Sequence, residues 1–145
     1  MNVLKNEISD LSFISTLIPQ KKPFVMVDKL IHFSEKKIIS EFTISSDNIF
    51  IKDEKFCEPG LIENMAQTIA LHTGYKYYLE QKPAPTGYIG AIKKAEIFEL
   101  PHARETLQTA VEILHDIMGV TLIQAKVMCN NQLVAQSEMK TALAQ

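Results

Sequence analysis

The 145-residue sequence has no long apolar run: nowhere do eighteen apolar residues stand together, so no membrane-spanning helix is expected. Cysteine is scarce. Cys57 and Cys129 are the only two, too few for a secreted disulfide scaffold, and neither belongs to a C-x-x-C motif. Only five glycines occur, and none builds a phosphate-binding loop. No spacing of His, Cys and Asp suggests a metal site, so no metal or other cofactor is expected. An excess of charge of one sign is lacking too. Fifteen basic residues stand against seventeen acidic ones, for a net charge of -2. That balance carries no footprint for nucleic acid and no polybasic patch for an anionic membrane. The opening MNVLKNEISD holds Glu7 and Asp10 where a secretory signal would be apolar, so the cytoplasm is the expected compartment.

Hydrophobic residues make up 46% of the chain and charged residues 22%, ordinary for a globular protein. A chain of this length buries roughly two-thirds of its unfolded surface and needs no disulfide or metal to hold it. Without repeats, low-complexity tracts or linkers, residues 1–145 read as one domain. Asp10 to Ile18 reads as a short helix capped by Ser9 or Asp10 and stopped by Pro19. Pro23 to Phe33 and Lys37 to Ser45 read as a hairpin joined by Ser34-Glu-Lys36, with Ile38, Phe42 and Ile44 on one face. Beyond the proline-broken loop Gln81–Thr86, four strands are expected: Gly87–Leu100, Thr106–Ile117, Gly119–Cys129 and Leu133–Leu143. Asp116–Gly119 and Asn130-Asn131 are tight-turn signals, the second suited to positive φ. Consecutive strands with short links imply an antiparallel sheet, and one helix among them implies an α+β layer in which the sheet wraps that helix.

That helix runs from Gly60 to about Leu79 and is apolar on nearly every side through its first turns, the pattern of a buried helix. Glu63, Asn64 and Gln67 stand within it, and burial requires partners for their polar groups. Glu63 falls in the expected first turn, near the positive end of the helix dipole, and apolar surroundings suit a carboxyl for handing a proton to a leaving hydroxyl. Gln67, at i+4, shares its face and can either orient it or bond a neighbouring strand. The amide of Gly60 at the helix start is a candidate oxyanion donor.

Specific residues add a family resemblance. Leu17-Ile-Pro-Gln-Lys-Lys-Pro-Phe-Val-Met-Val-Asp-Lys29 resembles the L-P-H-R-x-P-F-L-L-V-D-R opening of bacterial 3-hydroxyacyl-(acyl-carrier-protein) dehydratases. Pro59-Gly-Leu-Ile-Glu-Asn-Met-Ala-Gln67 resembles the P-G-V-L-x-x-E-A-M-A-Q segment of their central helix. Gly87-Tyr-Ile-Gly-Ala-Ile-Lys-Lys-Ala-Glu-Ile-Phe98 resembles their L-x-G-I-x-K-A-R-F strand. Ile62-Glu-Asn-Met-Ala-Gln-Thr-Ile-Ala70 is similar to the G-I-E-Y-M-A-Q-T-I-A helix of a divergent branch linked to aryl-polyene pathways. The resemblance implies the hotdog fold, a curved antiparallel sheet of five to six strands around one long helix. It also implies dimers paired edge to edge, with active sites at the subunit interface. The implied substrate is an acyl thioester on acyl carrier protein or coenzyme A, with Glu63 catalytic and Cys57, Pro59, Gly60 and Gln67 around the substrate.

The family's G-H-F-P histidine, its catalytic base, has no counterpart in Asn48–Gly60, and the step from P-G to Glu is two residues shorter. Candidates for a replacement base are Asp53, Glu54, Cys57 and Glu58 of that loop, with His32 and His72 outside it, but none makes a matched pair with Glu63, so the isolated chain is expected to bind an acyl chain with little or no dehydration. Three functions stay open: a dehydratase of acyl thioesters in fatty-acid or polyene biosynthesis, a thioester-binding partner of an active homologue in a homodimer or heterodimer, and a thioesterase.

Overall fold

The computed structural model describes residues 1–144, so Gln145, the last residue of the expected domain, lies outside the described residues. Helix α1 spans Leu11–Leu17, and the Asp10 carboxylate caps it by accepting from the amides of Ser12 at 3.0 Å and Phe13 at 3.4 Å. Strands β1 (Lys29–Phe33) and β2 (Lys37–Thr43) form the first hairpin. A small hairpin follows, β3 (Ile51–Lys52) and β4 (Lys55–Phe56), and leads into the long helix α2 (Glu58–Leu79). Strands β5 (Gly87–Ile97), β6 (Thr106–Ile117), β7 (Val120–Cys129) and β8 (Gln132–Leu143) complete the described chain. The larger sheet has the order β1-β2-β6-β7-β8-β5 and every pairing is antiparallel. Helix α2 packs on β2, β6 and β7, so the fold is the hotdog: one long helix held in a curved six-stranded sheet.

Alternation sets the inner face. Leu107, Thr109 and Val111 of β6, with Ile38, Ser40 and Phe42 of β2, turn inward against Leu61, Met65 and Leu71 of α2. The β6–β7 and β7–β8 links are two-residue turns with positive φ, Met118 (55°) with Gly119 (79°) and Asn130 (51°) with Asn131 (62°). Such turns match the twist of the strands they join. Gly74 is obligatory for a different reason. A Cβ there would stand 1.9 Å from the carbonyl oxygen of Leu17, so the end of α1 rests directly on α2.

Three expectations need correction. The long helix begins two residues earlier, at Glu58, because Pro59 sits in the first turn, where a missing N–H costs nothing. The first strand begins only at Lys29. Residues 24–26 bond to side chains of α2 instead of to a strand. The loop before α2 hides the β3–β4 hairpin, whose two-residue turn is Asp53-Glu54 at φ 52° and 64°.

Candidate active site

The polar groups of α2 divide between two faces. On the inner face, Asn64 donates from Nδ2 to the Met26 carbonyl at 2.7 Å, and its Oδ1 accepts from Thr109 Oγ1 at 2.6 Å. Thr68 Oγ1 donates to the Asn64 carbonyl at 2.8 Å and meets Ser40 Oγ at 2.8 Å. These four side chains are wholly buried, and the network satisfies them.

Gln67 connects this network to the other face. Its Oε1 accepts from the Met26 amide at 2.6 Å, and its Nε2 donates to the Phe24 carbonyl at 2.7 Å and to Glu63 Oε1 at 2.9 Å. Both readings of Gln67 therefore hold at once: it bonds a neighbouring extended segment and it orients the carboxylate. Because Gln67 is anchored at Phe24 and Met26, it fixes one oxygen of Glu63. The other oxygen, Oε2, has no protein partner among the described residues.

Glu63 is half-buried, more open than its apolar helix suggested, and it lies in the second turn of α2, past the reach of the helix dipole. Its side chain borders a cavity of about 100 Å³ between α2 and the outer end of the sheet. Ala66 and Ala70 keep the helix wall of that cavity low, and Gln20, Tyr88 and Leu143 close other sides. Tyr88 belongs to β5, the last strand of the sheet, so the cavity lies beside an unpaired edge.

Of the five expected site residues, only Glu63 borders this cavity. Gly60 is buried against the Phe56 ring, where a Cβ would approach Cζ to 2.4 Å. Its amide donates to the Cys57 carbonyl at 3.0 Å, so the N–H expected to be free for an oxyanion is engaged in the tight first turn. Pro59 is exposed, and Cys57 is the half-buried N-cap residue, its thiol 3.7 Å from the Lys55 carbonyl. Gln67 acts from behind Glu63.

The expected replacement bases lie elsewhere. Asp53 and Glu54 form the exposed tip of the small hairpin, and Glu58 is an exposed residue of the first helical turn. His32 lies in β1 at the far side of the sheet. His72 is buried and stacked on Phe33 at 4.8 Å, with Nε2 2.8 Å from the Ser34 carbonyl. A carbonyl only accepts, so Nε2 carries the proton, and burial holds the imidazole below its usual pKa. Cys129 is likewise inert, its thiol pushed up to about 11 by burial. Among the described residues no histidine borders the Glu63 cavity.

A family profile described as "ApeP-like: ApeP dehydratase" matches residues 12–145. The chain belongs to the ApeP-like dehydratase family. It is 24% identical to the 3-hydroxyacyl-(acyl-carrier-protein) dehydratase FabZ of Aliivibrio fischeri, with 95% of each chain covered. Its identity to FabZ of Ruminiclostridium cellulolyticum is 26%, over 90% of this chain and 94% of that one. In fold it matches the dehydratase heterocomplex ApeI:P from Xenorhabdus doucetiae with a TM-score of 0.84, at 15% identity and 91% coverage of both chains. The PaaI protein of Escherichia coli shares the fold more distantly, with a TM-score of 0.64, 11% identity and coverage of 78% and 80%. The resemblance seen in the dehydratase motifs thus holds over nearly the whole of this ApeP-like chain.

Two residues escaped the sequence reading. Tyr88 was part of a strand motif with nothing to mark it as a cavity wall. Gln20 stands where the L-P-H-R motif has its histidine, a signal that could have singled it out.

Proposed function

We propose that this ApeP-like chain is the acid-bearing half of a dehydratase that eliminates water from 3-hydroxyacyl thioesters. The base comes from a related hotdog subunit paired along β5. One observation carries the reading: the Glu63 cavity adjoins the bare β5 edge, and no histidine among the described residues borders it. In the reaction, a base on the partner removes the C2 proton, and its electron pair forms the C2–C3 double bond. The C3–O bond breaks as Glu63 protonates the departing hydroxyl, and water leaves. Gln67 keeps Glu63 Oε1 in place and leaves Oε2 without a protein partner among the described residues, available to the ligand. The dehydratase heterocomplex that shares this fold is a precedent for two unlike subunits. Acyl carrier protein is the carrier named for the FabZ relatives and is taken as the thioester's source here.

Co-purification of the chain with a hotdog subunit carrying the G-H-F-P histidine tests the proposal. Conversion of a 3-hydroxyacyl thioester to the enoyl thioester, followed by ultraviolet absorbance, is expected of the pair and not of this chain alone. Turnover by the chain alone at the rate of a histidine-bearing relative, abolished by Glu63→Gln, would mean that the base lies within it and would overturn the two-subunit reading.

A further inference from the structure

A second cavity, of about 160 Å³, lies farther along α2 and is bordered by Gly119 of the β6–β7 turn. Its exposed charged residues are Glu35, Lys36, Lys76 and Asp116, whereas Ile69 and His72 are buried in its wall. Ile69, Thr73, Thr141 and Leu143 border both this cavity and the one beside Glu63. One layer of side chains is therefore all that stands between the two. Helix rise places Thr73 about 15 Å beyond Glu63 along α2. Between them Ala66 and Ala70 present only methyl groups on the same helix face, so the way from Glu63 to the layer is unobstructed and apolar.

Leu143 is the outermost member of that layer, 36% exposed where Ile69 is 6%. It is the last residue of β8, and its partner across the strand pair is Gly87, which has no side chain. Leu143 Cδ2 lies 3.8 Å from where a Cβ on Gly87 would stand, so the side chain lies over that glycine, itself a wall of the Glu63 cavity. Resting on the dehydratase reading above, we propose that the acyl tail runs from Glu63 along Ala66 and Ala70 and stops at Leu143, which sets the acyl length. About 150 Å³ of cavity accepts a six-carbon ring, so the 100 Å³ beside Glu63 accepts about four carbons. With C3 at Glu63, the chain alone then takes acyl groups of up to about eight carbons. Leu143 is in this sense a specificity residue, distinct from the acid.

Calorimetric titration of the full chain with butanoyl-, hexanoyl-, octanoyl- and decanoyl-pantetheine reads the limit. Each methylene taken out of water is worth about fourfold in affinity, so wild-type affinity is expected to climb with length and to level off between octanoyl and decanoyl. Leu143→Ala opens the layer and should let the climb continue. It is expected to bind decanoyl-pantetheine about tenfold more tightly than wild type does, and butanoyl-pantetheine within about twofold of wild type. Ala70→Leu fills the path ahead of the layer and should end the climb at hexanoyl, again with butanoyl binding within about twofold. Melting temperatures check that both variants are folded, and Leu143→Val is a milder truncation should Leu143→Ala unfold. A levelling point that stays in place in either variant would overturn the assignment, as would a wild-type climb unbroken through decanoyl. A change by one common factor at every length, butanoyl included, would place the carrier arm against Leu143 instead of the tail and overturn it too. A wild-type chain that binds none of the four would overturn the acyl-thioester reading, and this inference with it.

Discussion

The two edges of the six-stranded sheet are treated in opposite ways. At the β1 edge the N-terminal segment lies alongside as a partial seventh strand. Ile8 and Leu30 exchange both backbone hydrogen bonds at 2.9 Å, the Val3 amide donates to the Phe33 carbonyl at 2.7 Å, and the Phe33 amide donates to Asn2 Oδ1 at 2.9 Å. At the β5 edge nothing comparable covers the strand among the described residues. Tyr88, Ile89 and Ile92 stand 62%, 40% and 44% exposed there. A covered edge resists pairing with another chain, and an open, apolar one invites it. The difference shows where a partner can add and where it cannot, and the Glu63 cavity lies at the open side.

The sharpest way to break the comparison is to separate chemistry from pairing. Glu63→Gln in the two-subunit complex should lower dehydration about 10²- to 10⁴-fold, the usual worth of a general acid, with the complex intact by size-exclusion chromatography. An equal loss of complex would tie Glu63 to assembly instead.

Uncapping the covered edge comes next. Removal of residues 1–8 deletes four hydrogen bonds to β1 and takes away Leu4 and Ile8, which pack against the core. At about 1 kcal/mol net for each bond, the loss should be about 3–4 kcal/mol in a urea unfolding titration, with new self-association through β1. Unchanged stability would mean that the segment does not protect the edge.

A charge on the open edge should act on assembly alone. Ile92→Lys is expected to weaken association with the second subunit about tenfold or more, while the melting temperature of the isolated chain barely changes. The smallest effect is one of pH behind the covered edge. His72 is held neutral by burial, so its folded pKa lies below the unfolded value near 6.5. Its stabilising share is complete above that value and is lost as pH falls, because only the unfolded chain then takes up the proton. Unfolding titrations at pH 7.5 and 5.5 should show a smaller drop in stability for His72→Gln than for wild type, since Gln does not titrate in this range and can still donate to the Ser34 carbonyl. An equal drop in both would remove His72 as the cause.

Much of this was local and therefore legible in the sequence. Asp10 and Pro19 bracket a helix, Asn130-Asn131 tolerate positive φ, and Leu107, Thr109 and Val111 alternate inward, because capping, turn geometry and strand period act over a few residues. The long apolar helix and its family motif singled out Glu63 as a candidate by the same short-range logic, and Glu63 borders a cavity. Glu58 and Pro59 were missed as helical because proline usually marks an end, yet in the first turn it is harmless. Pro23–Asp28 read as strand by composition, but composition does not say which donors and acceptors meet the backbone. Asn64 and Gln67, some forty residues away, meet it first.

The site was decided at that longer range. Pro59 and Gly60 share the helix face of Glu63 one turn earlier, with Cys57 before them at the N-cap, but the cavity runs from Glu63 the other way, along Ala66, Ala70 and Thr73. Gln20 and Tyr88 come to Glu63 from 43 residues before it and 25 after it because α1 ends against Gly74 and β5 closes the sheet beside α2. Periodicity and capping depend on neighbours in the chain and so can be read from it. Which side chains share one cavity depends on how a helix and a sheet edge pack, and only the folded chain brings those surfaces together.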